Sequence, residues 1–267
     1  MNNKGSSVRS IILRYINNHK KQDNNYFIAQ EILKNFVNIP QMTIYDLSEK
    51  CFVSTSAISR FIRLIDFSSY TNFKYAVEKE IDIVSDYSKR LTEISTGKPD
   101  DFINEYIENL LTNLKYAKKH IAVSQIETVV SAIHSAENVA VFGLEFAAFM
   151  GQHFQSKMAS MDKIVQISFT MTEQLRIVEE IKPNSLALIF SMEGGFFYFN
   201  EKVISGLKKK NIKIIAFTFK SSAIIERSAD EIVVCGEVND NTEGRISILY
   251  MMELLIYYYM RTIYLTT

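Results

Sequence analysis

Residues 43–63 read TIYDLSEKCFVSTSAISRFIR, and the punctuation of this stretch organises the sequence around it. Thr43 is an N-cap residue type, and Asp46 three positions later approximates a capping box, so a helix is expected over Ile44–Lys50. The chain breaks at Cys51-Phe52-Val53, Ser54 offers a second cap, and a second helix is expected from Thr55 through Arg63. Two short helices joined by a three-residue break, the second opening in small hydroxylated residues, have the layout of a helix-turn-helix. The first turn of the second helix enters the major groove in such units, where short polar side chains reach base edges or phosphates. Thr55, Ser56 and Ser59 lie on that side, with Ser54 at the cap. Arg60 and Arg63 have the reach for phosphates or guanine, and Ala57 permits close approach. Val53, Ile58, Phe61 and Ile62 are expected to point inward. A three-helix packing module, in which the Ser and Thr residues only cap a helix, is the competing reading of the same pattern.

Working outward, apolar stripes at helical spacing run through Ile11, Ile12, Tyr15 and Ile16, and again through Ile28, Ile32, Leu33 and Phe36. Pro40 is expected to end the second of these, and a further helix is expected from Tyr70 to about Tyr87. Nothing in this part reads as a strand. The chain turns polar between Asp86 and Asp101, ending in Thr96-Gly97-Lys98-Pro99-Asp100, which marks a domain boundary. Phe102 to Lys118 restores a helical pattern.

From Asn138 the rhythm changes to short apolar runs alternating with helical ones. Strands are expected at Val139–Phe142, Ile164–Ile167, Leu186–Phe190, Ile212–Thr218 and Glu231–Val234, with helices at Glu145–Met161 and Phe199–Lys210. Such alternation implies a five-stranded parallel sheet covered on both faces. The expected architecture is therefore two-domain α/β: an all-α unit over residues 1–82, a linker over 83–103 and an α/β sandwich over 104–267. Ligands bind such sheets just beyond the carboxyl ends of the strands, which directs attention to the residues after Phe142, Phe190 and Thr218.

Composition narrows the class. With 267 residues, 47% of them hydrophobic and 22% charged, the chain reads as ordinary globular protein. It shows no signal-peptide pattern, and its most apolar stretch, Ile248 to Met260, is too short to span a bilayer and reads as a buried helix. Cys51 and Cys235 are far apart with no metal-like spacing, and His19, His120, His134 and His153 show no ligand-spaced pair, so no metal or cofactor is expected. A reducing cytoplasm fits this cysteine usage. The zero net charge hides an asymmetry: residues 1–80 carry eleven Lys/Arg against seven Asp/Glu, a balance of +4. A basic helical unit on a neutral chain hints at nucleic acid.

The run Val53 to Arg63, followed by Phe67 and Asn72-Phe73-Lys74, resembles the N-terminal domain of the RpiR-type family of bacterial regulators. That family's pattern is roughly V-S-x-A-T-[IV]-x-R-F-x-[RK], then a segment like GFxGFxEFK. Met42 to Ser48 also resembles its first motif helix. The resemblance implies that Lys74 touches the phosphate backbone. One departure is Phe52, where the family's turn usually has Gly; a left-handed backbone is costly for Phe, so the turn is either rebuilt or strained.

The same family carries a sugar isomerase-type (SIS) domain, and residues 104–267 are similar to one. Val141-Phe142-Gly143 resembles its first strand and turn, and Leu188-Ile189-Phe190-Ser191 the strand leading to its phosphate loop, with Gly194 in place. Ile214 to Thr218 is similar to its fourth strand, Ala229-Asp230-Glu231-Ile232 to the start of its fifth, and Arg245 through Leu255 to its C-terminal helix. The loop motifs differ. G-x-G-x-S becomes Gly143-Leu144-Glu145-Phe146-Ala147, and S-x-S-G-x-[ST] becomes Ser191-Met192-Glu193-Gly194-Gly195-Phe196. Phosphosugar binding relies on hydroxyls and backbone N–H groups. Two carboxylates within a few Å of a phosphate dianion oppose it by roughly one to several kcal/mol.

Three readings of the loops stand. A phosphosugar is held by Ser191, the neighbouring backbone and Thr218 or Ser221; a neutral or cationic ligand such as an amino sugar is anchored by Glu145 and Glu193; or the site is vestigial and the domain only dimerises. The aromatic run Phe196 to Phe199 either fills the old site or forms a subunit contact. The expected function is a regulator of carbohydrate genes that binds a palindromic double-stranded operator as a homodimer or homotetramer, with a sugar-derived effector and no membrane partner. A sugar-phosphate isomerase is the rival class, with Glu173 and His153 as its candidate acid/base pair.

Overall fold

A computed structural model describes residues 8–19, 23–78, 80–81, 99–144, 146–239 and 243–266. They fall into two units that divide after residue 96. The linker stretch 83–98 and Glu145 lie outside the described residues, as does the continuation of the Tyr70 helix beyond residue 81.

The first unit is all helical: α1 (Val8–Asn18), α2 (Asn24–Lys34), α3 (Ile44–Lys50), α4 (Thr55–Leu64) and α5 (residues 70–78). Its core is one cluster to which α1 contributes Ile12, α2 Ile28 and Ile32, α4 Ile58, Phe61 and Ile62, and α5 Phe73. Each fully buried apolar side chain of this size contributes roughly 1.5–3 kcal/mol. Cys51 packs half-buried against this cluster, and burial pushes its thiol up to about 11. Pro40 does not end α2. That helix stops at Lys34, where Asn35 turns its amide back onto the Glu31 carbonyl, and Pro40 sits inside a 3-10 segment, Phe36–Gln41. The segment buries Phe36 and Ile39, so the chain stays helical in sense although its α-period is broken.

The second unit opens with α6 (Pro99–His120) and α7 (Val123–Ser135), then alternates β1 (Val139–Gly143), α8 (Phe146–Ala159), β2 (Val165–Ile167), α9 (Met171–Glu180) and β3 (Leu186–Phe190). It continues with α10 (Gly195–Phe199), α11 (Glu201–Lys209), β4 (Lys213–Thr218), α12 (Ala223–Ser228), β5 (Glu231–Val234) and α13 (Gly244–Tyr259), which runs on as a π-turn at Met260–Tyr264. The helix expected over Phe199–Lys210 is α11, Glu201–Lys209, and a separate short helix, α10, precedes it with Asn200 between them.

All five strands are parallel, in the order β2-β1-β3-β4-β5. β1 and β3 are buried along their whole length, which is why they read as continuous apolar runs. Strand alternation sends Val141, Leu188 and Phe217 to one face, covered by α7, α8 and α13. Phe142, Ile189 and Ala216 go to the other, covered by α9 to α12. β1 leads outward to β2, and the chain then returns across β1 to β3, so the connections reverse direction between β1 and β3. In open parallel sheets ligands bind at such a reversal, at the carboxyl ends of the strands. α13 is not buried all round: Met251, Met252 and Leu255 are in the core, while Tyr250 and Tyr257 are exposed.

Candidate functional site

In the helical unit the two expected caps form. Thr43 Oγ1 accepts the Asp46 N–H at 3.2 Å and Asp46 Oδ2 accepts the Thr43 N–H at 2.7 Å, a reciprocal capping box. The Thr43 N–H, and after it the Thr43 hydroxyl, which donates to Asp46 Oδ2 at 2.8 Å, hold the Asp46 carboxyl below its ordinary 3.8. Ser54 Oγ accepts the Ala57 N–H at 3.3 Å and lies 2.8 Å from Ser56 Oγ, so Ser54 caps α4 while both hydroxyls stay exposed. The Tyr70 hydroxyl donates to the carbonyls of Met42 at 3.2 Å and Thr43 at 3.4 Å, fixing the start of α3 against α5. Burial pushes the Tyr70 phenol up to about 12.

Between the helices, Val53 N–H bonds Ser48 O and Phe52 N–H bonds Glu49 O, the two bonds of a Schellman cap, with Phe52 in the left-handed residue position at φ 53°. The turn therefore keeps its left-handed geometry with Phe in place of Gly. That backbone costs a side-chain-bearing residue roughly 1–2 kcal/mol. On α4, Arg60, Arg63, Ser54 and Ser56 are exposed, Thr55 and Ser59 half-buried, and Lys74 half-buried on α5. Ile58, Phe61 and Ile62 are fully buried, so α4 divides into a core face and a polar face that carries the two arginines.

At the carboxyl ends of the strands, the loop after β3 is tied from several sides. Ser191 Oγ accepts the Phe196 N–H at 3.0 Å, and the Ser191 N–H bonds the carbonyl of Phe217 in β4. Gly194 takes the left-handed conformation at φ 79°. Thr218 is fully buried, its hydroxyl donating to Met192 O at 2.9 Å and lying 3.1 Å from Lys220 O. Ser221 Oγ donates to Glu226 Oε1 at 2.8 Å. Glu193 is exposed and accepts from Asn239 Nδ2 at 3.0 Å, which links the loops after β3 and β5. After β1, Gly143 has no space for a side chain, since a Cβ there would lie 2.4 Å from Ala147 Cβ and 3.1 Å from Phe190 O. The structure thus brings Ser191, Glu193, Gly194 and Thr218 together, but Thr218 and Ser221 already have partners within the chain. Phe196 and Phe197 are buried in the core beneath the loop, while Tyr198 and Phe199 are exposed.

Several contributors carried no local signal in the sequence. Gln174, buried on α9, donates to Gly143 O and Ser168 O, both at 3.3 Å. Asn113 on α6 accepts the N–H groups of Glu237 and Val238 at 3.0 Å each and donates to Val238 O, and Asn109 donates to the buried Glu243 at 2.7 Å. Glu173 accepts from Ser168 Oγ, and His153 pairs with Glu253 at 2.6 Å between α8 and α13. α8 and α9 cover opposite faces of the sheet, so Glu173 and His153 do not form an acid/base pair. Among the described residues no cluster of His, Cys, Asp and Glu is arranged to hold a metal, and no helix is long and apolar enough to cross a membrane.

Residues 11–83 match the model of the rpiR-family helix-turn-helix domain, and residues 132–257 that of the SIS domain. The chain carries an rpiR-family helix-turn-helix domain followed by a SIS domain, the make-up of an RpiR-type transcription regulator. As a regulator it binds DNA and acts by binding, not by turnover. No curated protein matches it in sequence. Among solved structures it is similar to the Vibrio vulnificus NanR protein complexed with ManNAc-6P, at 15% identity over 95% of this chain and 92% of that one, with a TM-score of 0.52. A ligand-bound protein of Escherichia coli matches 62% of this regulator and 93% of its own length, at 14% identity and a TM-score of 0.50. The sugar isomerase domain of an RpiR transcription factor from Sphaerobacter thermophilus matches 61% of the chain and 96% of its own length, at 18% identity and a TM-score of 0.45. At these identities the likeness describes the fold.

Proposed function

We propose that this regulator binds a palindromic operator as a homodimer and that its SIS domain takes an uncharged or cationic sugar derivative, such as an amino sugar, at the carboxyl ends of β1 and β3. The observation that carries the effector class is the allocation of the loop hydroxyls. Thr218 and Ser221 both donate to the chain's own acceptors, while Ser191 receives the Phe196 N–H and keeps its own hydroxyl hydrogen. The Glu193 carboxylate is exposed at the loop, with Asn239 Nδ2 on one oxygen, and favours a hydroxyl or ammonium partner over a phosphate dianion. On the DNA side, Thr55, Ser56, Ser59, Arg60 and Arg63 would contact the major groove, with Lys74 on the phosphate backbone.

The homodimer rests on α13. Ile246, Tyr250, Tyr257, Met260 and Tyr264 recur at spacings of three, four and seven along the helix and are each about two-fifths exposed or more. An exposed aromatic and aliphatic stripe of this length is what one half of an isologous helical interface presents. A sugar phosphate is the second reading, favoured by the shared fold with the ManNAc-6P-bound NanR structure.

Thermal-shift titration of the full-length protein with glucosamine, N-acetylated amino sugars and their 6-phosphates tests the effector class, since a ligand of the native state must raise the melting temperature. A rise with the unphosphorylated sugars supports the proposal. A rise only with the phosphates overturns it in favour of the second reading.

A further inference from the structure

We propose that Phe52 is a DNA-contacting residue of this chain, its ring laid on the apolar edge of the groove beside the start of α4. The inference rests on the reading that α4 enters the major groove. Its first support is conformational. Apart from Phe52, the described residues other than glycine with positive φ are Asp66, Asp162, Asn184 and Asn211. Asp and Asn are the types whose short polar side chains tolerate that backbone. Asp66, Asp162 and Asn211 occupy the same place in the same kind of helix cap as Phe52: Phe67 N–H bonds Ile62 O, Lys163 N–H bonds Met158 O, and Ile212 N–H bonds Leu207 O. Four caps of one geometry thus carry Asp, Asp, Asn and Phe.

The second support is exposure. Phe52 is 95% exposed, more than any other large apolar side chain among the described residues. The hydrogen bonds of the cap come from the backbone alone, and a glycine or asparagine would make them equally well. Neither the turn nor the packing of the chain accounts for an aromatic ring here, so the ring's partner lies outside the chain.

The third support is location. Ser54, two residues on, is the exposed cap of α4, Ser56 follows on the same exposed turn, and Lys50 is exposed two residues before. Arg60 lies further along the helix. A ring set among hydroxyls and cations fits a polyanion with apolar edges better than an apolar protein surface, and thymine methyl groups and deoxyribose are those edges in DNA.

The test uses the full-length protein and duplexes that the wild type enriches from a random-sequence pool. F52G and F52N relieve the left-handed strain, so both are expected to melt at a higher temperature than wild type. Both are nevertheless expected to bind the enriched duplex about tenfold more weakly, the loss of one good apolar or base-edge contact, whereas F52W keeps nearly the wild-type affinity. Replacing thymine by uracil in the duplex then separates the two apolar edges. If the methyl is the contact, uracil weakens the wild type and leaves F52G unchanged; if it is the sugar, uracil affects neither. F52G and F52N that bind as tightly as wild type would overturn the proposal. So would variants that lose stability together with affinity, since Phe52 would then serve the fold. A wild type that enriches no duplex would overturn the DNA-binding reading itself, a separate and recognisable failure.

Discussion

The Ser191 hydroxyl accepts the backbone N–H of Phe196 at 3.0 Å, closing the loop after β3 onto the first turn of α10. The acceptor is nearly buried, so water does not replace it when it is removed. Ser191→Ala is therefore expected to destabilise the SIS unit by about 1–3 kcal/mol, the cost of a buried donor left unpaired. Urea unfolding followed by near-ultraviolet circular dichroism measures this, and an unchanged midpoint would show that the loop holds its shape without the bond.

Arg60 is exposed on the polar face of α4, away from the buried face that holds the helix on its neighbours, so Arg60→Ala is expected to leave the melting temperature nearly unchanged. Binding to the selected duplex is expected to fall by roughly 1–3 kcal/mol, or about 5- to 150-fold. A gel-shift titration reads the affinity, and wild-type affinity in the variant would remove α4 from the interface.

The capping box at the start of α3 makes a local prediction. Thr43→Ala removes the side-chain acceptor for the Asp46 N–H and is expected to cost about 0.5–2 kcal/mol of the helical unit's stability. Because Asp46 is held below its ordinary pKa, its contribution is complete above that ordinary value and is lost as pH falls through the depressed one. The penalty of Thr43→Ala should accordingly shrink in strong acid, as thermal melts from neutral to acid pH would reveal.

Tyr70 gives the opposite dependence. Its phenol is raised from 10.0 to about 12, so the folded state holds the proton more tightly than the unfolded one. The stability this supplies is full below pH 10.0 and lost as pH rises toward about 12. A phenolate cannot donate to Met42 O and Thr43 O, so the physical event is loss of the tie between α5 and α3. Tyr70→Phe should be less stable at neutral pH yet lose less stability through that alkaline window, which a pH series of chemical denaturations would show.

Tyr257 lies near the middle of the exposed α13 stripe. Tyr257→Glu places a carboxylate where the two copies would meet, at a cost of several kcal/mol if the face is buried there. Light scattering during size-exclusion chromatography should then report one chain's mass where the wild type reports two. A variant that stays dimeric would move the interface elsewhere.

The helix-turn-helix was readable because its determinants are local. Thr43 and Asp46, or Ser54 and Ala57, find each other within three residues, and a cap depends on little else. The strands were readable because burial on both faces leaves little room for polar residues, as Leu186–Phe190 shows. The allocation of hydroxyls was not. Thr218 and Ser221 have residue types suited to a ligand, but which acceptor each meets depends on Met192 and Glu226 reaching them in space. Asn113 and Val238 are 125 residues apart in sequence, and no pattern at either position announces the other. Asn200 likewise carries no helix-breaking signature of the Pro or Gly kind, yet it divides α10 from α11.

α13 follows in the chain the helices α6, α7 and α8 that it packs upon, and it completes the core shared with α7 and α8. The helical unit draws its core from residues 8–81. During synthesis the two units therefore mature at different times: the DNA-reading half has all its packing partners long before the sensing half can close. A ribosome that stalls, or a message that is cut, between Val234 and Gly244 would release a chain with a finished reading head and an unfinished sheet domain. Such a fragment would leave the core face shared by α7 and α8 uncovered, and the cell would meet it as a substrate for proteolysis before it met it as a regulator.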